Sequence, residues 1–136
     1  MLPSTALITG ASAGLGVEFA HLLAKDHHNV VLVARSEDKL QQLAADLEKR
    51  YGIKAHVFAS DLSLPGAAQA LVESLRLADL KIDVLINNAG FGTNGKFYEN
   101  PAEQEFAMLQ VNVVALAQLT RLLLPGMVAR GYGKVL

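Results

Sequence analysis

Residues 29–35, NVVLVAR, are apolar at nearly every position and rich in β-branched side chains. A strand with one face in water alternates apolar and polar residues. This run does not, so both its faces need cover, which a parallel sheet between helices provides. ALITG at 6–10 and the middle of KIDVLINNAG at 81–90 have the same character. Helical periodicity fills the gaps between these runs. GLGVEFAHLLAKDHH predicts a first helix with Leu15, Phe19, Leu22 and Leu23 on one face. Ser36 is placed to cap a second helix, with Glu37 and Asp38 in its first turn, a stripe of Leu40, Leu43 and Leu47, and Gly52 as its stop. KAHVFAS predicts strand three. Ser63 and Pro65 then open a third helix with Ala67, Leu71 and Leu75 facing inward. After strand four, Asn100, Pro101 and Glu103 read as a cap for a long helix carrying Phe106, Leu109, Val113, Leu116 and Leu123. Pro125 and Gly126 are expected to kink or end it. YGKVL begins a fifth strand, and the sequence stops inside it.

Strand and helix in regular alternation predict an α/β fold: a doubly wound parallel sheet in a three-layer sandwich, joined by right-handed crossovers. Residues 1–136 read as a single domain, incomplete at its fifth strand. Ligands of such sheets bind beyond the carboxyl ends of the strands, where the strand order reverses. A net charge of −1 gives no attraction to nucleic acid or membrane by charge, so neither is expected as a partner. Without cysteine there are no disulfides or thiolate metal sites, which is compatible with a reducing cytoplasm, the expected location. The first residues lack the pattern of a signal peptide, and the longest apolar runs fall short of a membrane span.

LITGASAGLG, residues 7–16, puts three glycines between strand one and helix one. Gly10 permits a tight turn, and Gly14 and Gly16 allow close approach of a diphosphate and of the neighbouring strand. The helix that follows offers unpaired N–H groups to an anion, and Ser12 adds a hydroxyl. The spacing is Gly-x-x-x-Gly-x-Gly rather than Gly-x-Gly-x-x-Gly, and a glycine trio alone also suits a plain strand-to-helix turn. Residues at the other strand ends add weight. Arg35 ends strand two where the ribose of an adenosine would arrive; a guanidinium there suits a 2′-phosphate, whereas an acid would suit a free 2′-hydroxyl. It also reads as a surface arginine. Asp61 ends strand three, either to accept from an adenine amine or to cap a helix. Asn87–Gly90 would pass over the same crevice, or form a turn that satisfies its own backbone.

Taken together, TGASAGLG, VAR, SDL, NNAG and VNVVA resemble, in order and spacing, the short-chain dehydrogenase/reductase family across essentially the whole chain. The resemblance implies a Rossmann-type fold and an NAD- or NADP-dependent oxidoreductase acting on carbonyls or alcohols. It implies that Gly10, Ser12, Ala13, Gly14, Leu15 and Gly16 form the diphosphate loop, that Asp61 and Leu62 flank adenine, and that Asn88, Ala89 and Gly90 line the nicotinamide-side ribose. Arg35 would favour NADP over NAD, although Ala13 stands where many NADP-preferring members carry a basic residue. Asn112 matches the family's helix asparagine, which supports the catalytic lysine through water.

The family's chemistry also needs a serine and a Tyr-x-x-x-Lys. Tyr51, Tyr98 and Tyr132 are followed at that spacing by Ala55, Ala102 and Leu136. Asn112 is therefore the catalytic position present. Ser4, Thr5 and Ser60 have no paired base apparent in the sequence, and His21, His27, His28 and His56 show no metal-ligand pattern. The expected function is the NADP-binding portion of an oxidoreductase, without catalysis by this chain alone. The rivals are a non-catalytic nucleotide-binding module and a structural or interaction module. An incomplete sheet edge and uncovered helix predict pairing with a second copy or a complementary half.

Overall fold

A computed structural model describes residues 3–136. The elements alternate as β1 (Thr5–Thr9), α1 (Gly14–Lys25), β2 (Asn29–Ala34), α2 (Glu37–Tyr51), β3 (Ala55–Ala59), α3 (Ala67–Leu77) and β4 (Val84–Ile86). There follow α4 (Ala102–Leu109), a π-helical turn (Gln110–Ala115), α5 (Leu116–Arg130) and β5 (Lys134–Val135). Every strand pairing is parallel, in the order β3-β2-β1-β4-β5. The chain winds outward from β1 to β3 and then crosses back to β4, so the order reverses between β1 and β4. This is the doubly wound, Rossmann-type sheet.

Pleating sorts each strand onto two cores. Ala6, Ile8, Val30 and Leu32 meet Ala20 and Ala24 of α1 and Leu40 and Leu47 of α2. On the other face Leu7, Val31, Val33 and Leu85 meet Leu71 and Leu75 of α3 and Leu119 and Met127 of α5. β2 is buried on both sides, as its unbroken apolar run requires.

Several local expectations need correcting. α1 turns Gly16, Ala20 and Ala24 inward, with Phe19 and Leu23 beside them, while Leu15 and Leu22 face outward. The helix lies too close to the sheet for large residues along its inner stripe. Ser36 stands at the N-cap of α2 but makes no capping bond. α3 starts at Ala67 behind Gly66, because Ser63 is engaged by Asp61. Pro101, not Asn100, holds the N-cap position of α4. Pro125 neither ends nor shortens α5, which runs to Arg130 and stops at Gly131 in a left-handed conformation (φ +75°). Pro125 and Arg121, whose carbonyl loses its helical partner there, are both exposed residues, which lowers the cost of that lost bond. The expected apolar stripe of the long helix also differs. Ala115, Leu119 and Met127 are buried, whereas Phe106, Leu109, Val113 and Leu116 are exposed. The π turn adds a residue to one turn and so shifts the phase of the helix on either side of it. The apolar segments join into one helical rod, Ala102–Arg130, of 29 residues, long and apolar enough to cross a membrane by length and composition alone.

Candidate functional site

Two glycines of the first loop are set by contact. A Cβ on Gly16 would stand 2.0 Å from the Gly10 carbonyl oxygen, and one on Gly10 would stand 3.0 Å from Ala89 Cα. Gly10 also has φ +64°. Gly14 (φ +56°) meets nothing within 4 Å and faces open space. Ala13, at the N-cap of α1, is extended and provides no side-chain cap. The first N–H groups of α1 are therefore left for an anion or water.

A hydrogen-bonded brace holds this loop to the end of β4. Thr9, almost fully buried, accepts from the N–H groups of Asn88 (3.0 Å) and Ala89 (2.9 Å) and donates to Ile86 O. The Asn88 amide donates to the carbonyls of Thr9 and Gly10, both at 3.2 Å. Asn87 reaches the other way, donating to Thr120 Oγ1 on α5. The paired asparagines thus brace neighbouring elements rather than satisfying their own turn. Asn112, in the π turn, ties down the next residues: Phe91 N–H donates to its Oδ1 (3.0 Å) and its Nδ2 donates to Phe91 O (2.8 Å). Gly90 leaves room for this, since a Cβ there would lie 3.0 Å from Asn112 Oδ1.

The carboxyl ends of the strands enclose a cleft of 590 Å³, a size that suits a small organic ligand. Of the residues singled out in the sequence, Gly10, Ser12, Arg35, Asp61, Leu62, Ala89 and Gly90 line it. Ala13, Gly14, Leu15, Gly16, Asn88 and Asn112 are not among its walls. They shape the loop (Ala13 to Gly16), brace it (Asn88) or anchor its neighbour (Asn112). Ser36, Lys39 and Phe91 also line the cleft, and none of them was read from the sequence as a site residue. Lys39 lies in the first turn of α2, off the leucine stripe that the helical period marks. Its signal was the spacing from Arg35, which brings both cations to one edge.

Asp61 Oδ1 accepts from the N–H (3.0 Å) and hydroxyl (2.6 Å) of Ser63. The Ser63 hydroxyl above all holds the carboxyl below the usual aspartate range; partial burial opposes this, while the Ser63 N–H and the Arg35 charge add to it. This local turn leaves Oδ2 free of such bonds. At the opposite ends of the strands Ser4 does have a base, contrary to expectation: its hydroxyl hydrogen-bonds His28 Nδ1, and His28 Nε2 lies 3.5 Å from Asp26. Asp26 is largely exposed there, so the contact joins the residue before β1 to the turn before β2 at the surface.

A family model described as short chain dehydrogenase matches residues 4–136. The chain belongs to the short-chain dehydrogenase family. Ketoacyl reductase HetN of Nostoc sp. is 41% identical over 131 residues, covering 96% of this chain and 45% of that protein. A very-long-chain 3-oxoacyl-CoA reductase of Pyrenophora tritici-repentis is 38% identical over 135 residues, covering 96% of this chain and 40% of the relative. Among solved structures, a short-chain dehydrogenase from Sphingobium yanoikuyae in complex with NADPH superposes with a TM-score of 0.90 at 38% identity, covering 98% of this chain and 52% of the other. L-sorbose reductase from Gluconobacter frateurii, complexed with NADPH and L-sorbose, gives 0.91 at 37% identity, covering 99% and 51%. The chain thus spans less than half the length of these curated relatives and about half of the solved chains.

Proposed function

We propose that this chain is the NADPH-binding portion of an oxidoreductase whose whole protein moves hydride between NADPH and a carbonyl or alcohol. The observation that carries the reading is the basic edge of the cleft. Arg35 and Lys39 line it beside Ser36, where an acid would serve a free ribose hydroxyl. The NADPH-bound structural neighbours support the same cofactor. Relatives named as ketoacyl and 3-oxoacyl-CoA reductases support a carbonyl substrate for the whole protein.

The residues fit such a cofactor. Gly10 and Gly16 let the loop draw close to α1, whose free N–H groups and Ser12 hydroxyl face a diphosphate. Arg35 and Lys39 hold a 2′-phosphate, Arg35 through its planar fork and Lys39 as a point charge. Leu62 and Val33 line the cleft where the adenine would lie, and Asp61, whose Oδ1 alone is engaged by Ser63, would be placed to accept from its amine. Ala89, Gly90 and Phe91 flank the second ribose, with Asn112 fixing Phe91. When bound, the nicotinamide supplies or accepts the hydride. No Tyr-x-x-x-Lys stands in this sequence, so the chain alone binds cofactor without turnover.

A second reading, a non-catalytic interaction module, draws support from the exposed Phe106, Leu109, Val113, Val114 and Leu116. In both readings we expect that apolar surface to meet a second copy or a complementary half. The absence of cysteine supports a cytoplasmic location. NADPH fluorescence titration tests the proposal. Saturable binding without turnover of carbonyl substrates is expected, and folded protein that shows no saturation would defeat it.

A further inference from the structure

We propose that Glu105 is a positioning residue, a buried carboxylate that fixes the loop 91–100 at the mouth of the cleft. The inference rests on the dinucleotide-binding reading for its consequence, though not for its geometry. Glu105 sits in the first turn of α4 and is only 5% exposed. Among the described residues no lysine, arginine or histidine pairs with it. A buried carboxylate needs compensation, and here two neutral groups of one loop provide it. Thr93 Oγ1 donates to Glu105 Oε1 at 2.9 Å, and Asn100 Nδ2 donates to the same oxygen at 2.8 Å. The two donors lie near the start and at the end of the loop, so one oxygen closes it into a ring.

The loop is packed to match. Gly95 has φ +102°, and a Cβ there would stand 2.9 Å from Asn100 Oδ1. The N–H groups of Glu99 and Asn100 both turn back to Lys96 O. The Asn100 amide therefore meets Glu105 on one side and the loop tip on the other. Toward the cleft, the ring runs directly into Phe91, which Asn112 clamps from the same helical rod. Glu105 and Asn112 thus fasten one loop to one helix at Phe91, Thr93 and Asn100, and Phe91 is a wall of the cleft. Releasing Glu105 frees the loop behind that wall.

Glu105 could instead act on the α4 dipole alone. That role requires its charge, whereas the clamp requires only an acceptor oxygen, which a glutamine retains. Phe97 and Tyr98, at 73% and 79% exposure, give chymotrypsin a direct view of the loop. The full chain, as E105A, E105Q and N100A, is compared with wild type by chymotryptic cleavage rate after Phe97 and Tyr98 and by NADPH titration. E105A, which removes both hydrogen bonds, is expected to be cut at least about tenfold faster there and to bind NADPH several-fold more weakly. E105Q should remain within about twofold of wild type in both assays, and N100A should fall between. E105A cleavage at the wild-type rate, or E105Q behaving like E105A, would overturn the clamp. Should E105A fail to fold, N100A and E105Q decide it in the same way. Faster cleavage with unchanged NADPH affinity would overturn the link to the cleft. Wild-type protein that does not bind NADPH would defeat the functional reading alone, and the cleavage rates would still judge the clamp.

Discussion

Single residues in the cleft have separable jobs. On the proposed reading Arg35 holds the cofactor's 2′-phosphate, so Arg35→Ala should weaken NADPH about 10- to 100-fold while leaving NADH nearly unchanged, as titration of both would show. Equal losses would remove the 2′-phosphate role. Gly16 has no such latitude: a methyl group there meets the Gly10 carbonyl at 2.0 Å. Gly16→Ala should cost at least about 2 kcal/mol in denaturant unfolding, because backbone rather than a flexible side chain must move. Asp61 carries a pH dependence. Its carboxyl is held low in the folded chain, chiefly by the Ser63 hydroxyl. That stabilisation is complete above the ordinary aspartate pKa of about 3.9 and is lost as pH falls through the lower folded value. Melting curves across the acid range should therefore be less steeply pH-dependent in Asp61→Asn than in wild type.

At the scale of elements, the hydrophobic pattern located every strand and most helices, but it chose the inner face of a helix unevenly. α2 buried Leu40 and Leu47 of its predicted stripe, with Leu43 half-buried and Ala44 also inside, and α3 buried Leu71 and Leu75, with Ala68 rather than Ala67 facing inward. α1 kept Phe19 and Leu23 half-buried but left Leu15 and Leu22 outside, because Gly16, close against the loop, and Ala20 and Ala24 form its innermost line. Leu22→Ala should then change stability by no more than about 0.5 kcal/mol, and Leu119→Ala, buried against the sheet, should cost about 2–5 kcal/mol in the same assay. The capping predictions failed for a related reason. Ser36 and Asn100 are both good cap formers, yet Ser36 faces the cleft and the Asn100 amide goes to Glu105. Each side chain had a tertiary partner or surface that a local rule does not consider.

For the whole molecule, the long helix leaves Phe106, Leu109, Val113, Val114 and Leu116 exposed on a chain that spans less than half of its curated relatives. An apolar surface of that kind favours association. Sedimentation at rising concentration should show self-association that weakens when Phe106 and Val113 are replaced by serine; a concentration-independent monomer would refute this.

The sequence by itself determined the layer architecture, since runs such as NVVLVAR cannot be left wet on either face. It also determined which strand ends border the cleft, because Gly10 and Arg35 follow directly on their strands and Asp61 and Ala89 come within three residues of theirs. Only the tertiary structure decided how those groups are braced. Thr9, Asn88, Asn112 and Glu105 act on residues 5 to 80 positions away, and Lys39 reaches the cleft only because α2 starts at its rim. Burial patterns are local and repeat along the chain, so they can be read from it. Hydrogen bonds between distant segments depend on crossovers that bring those segments together, and no local period records them.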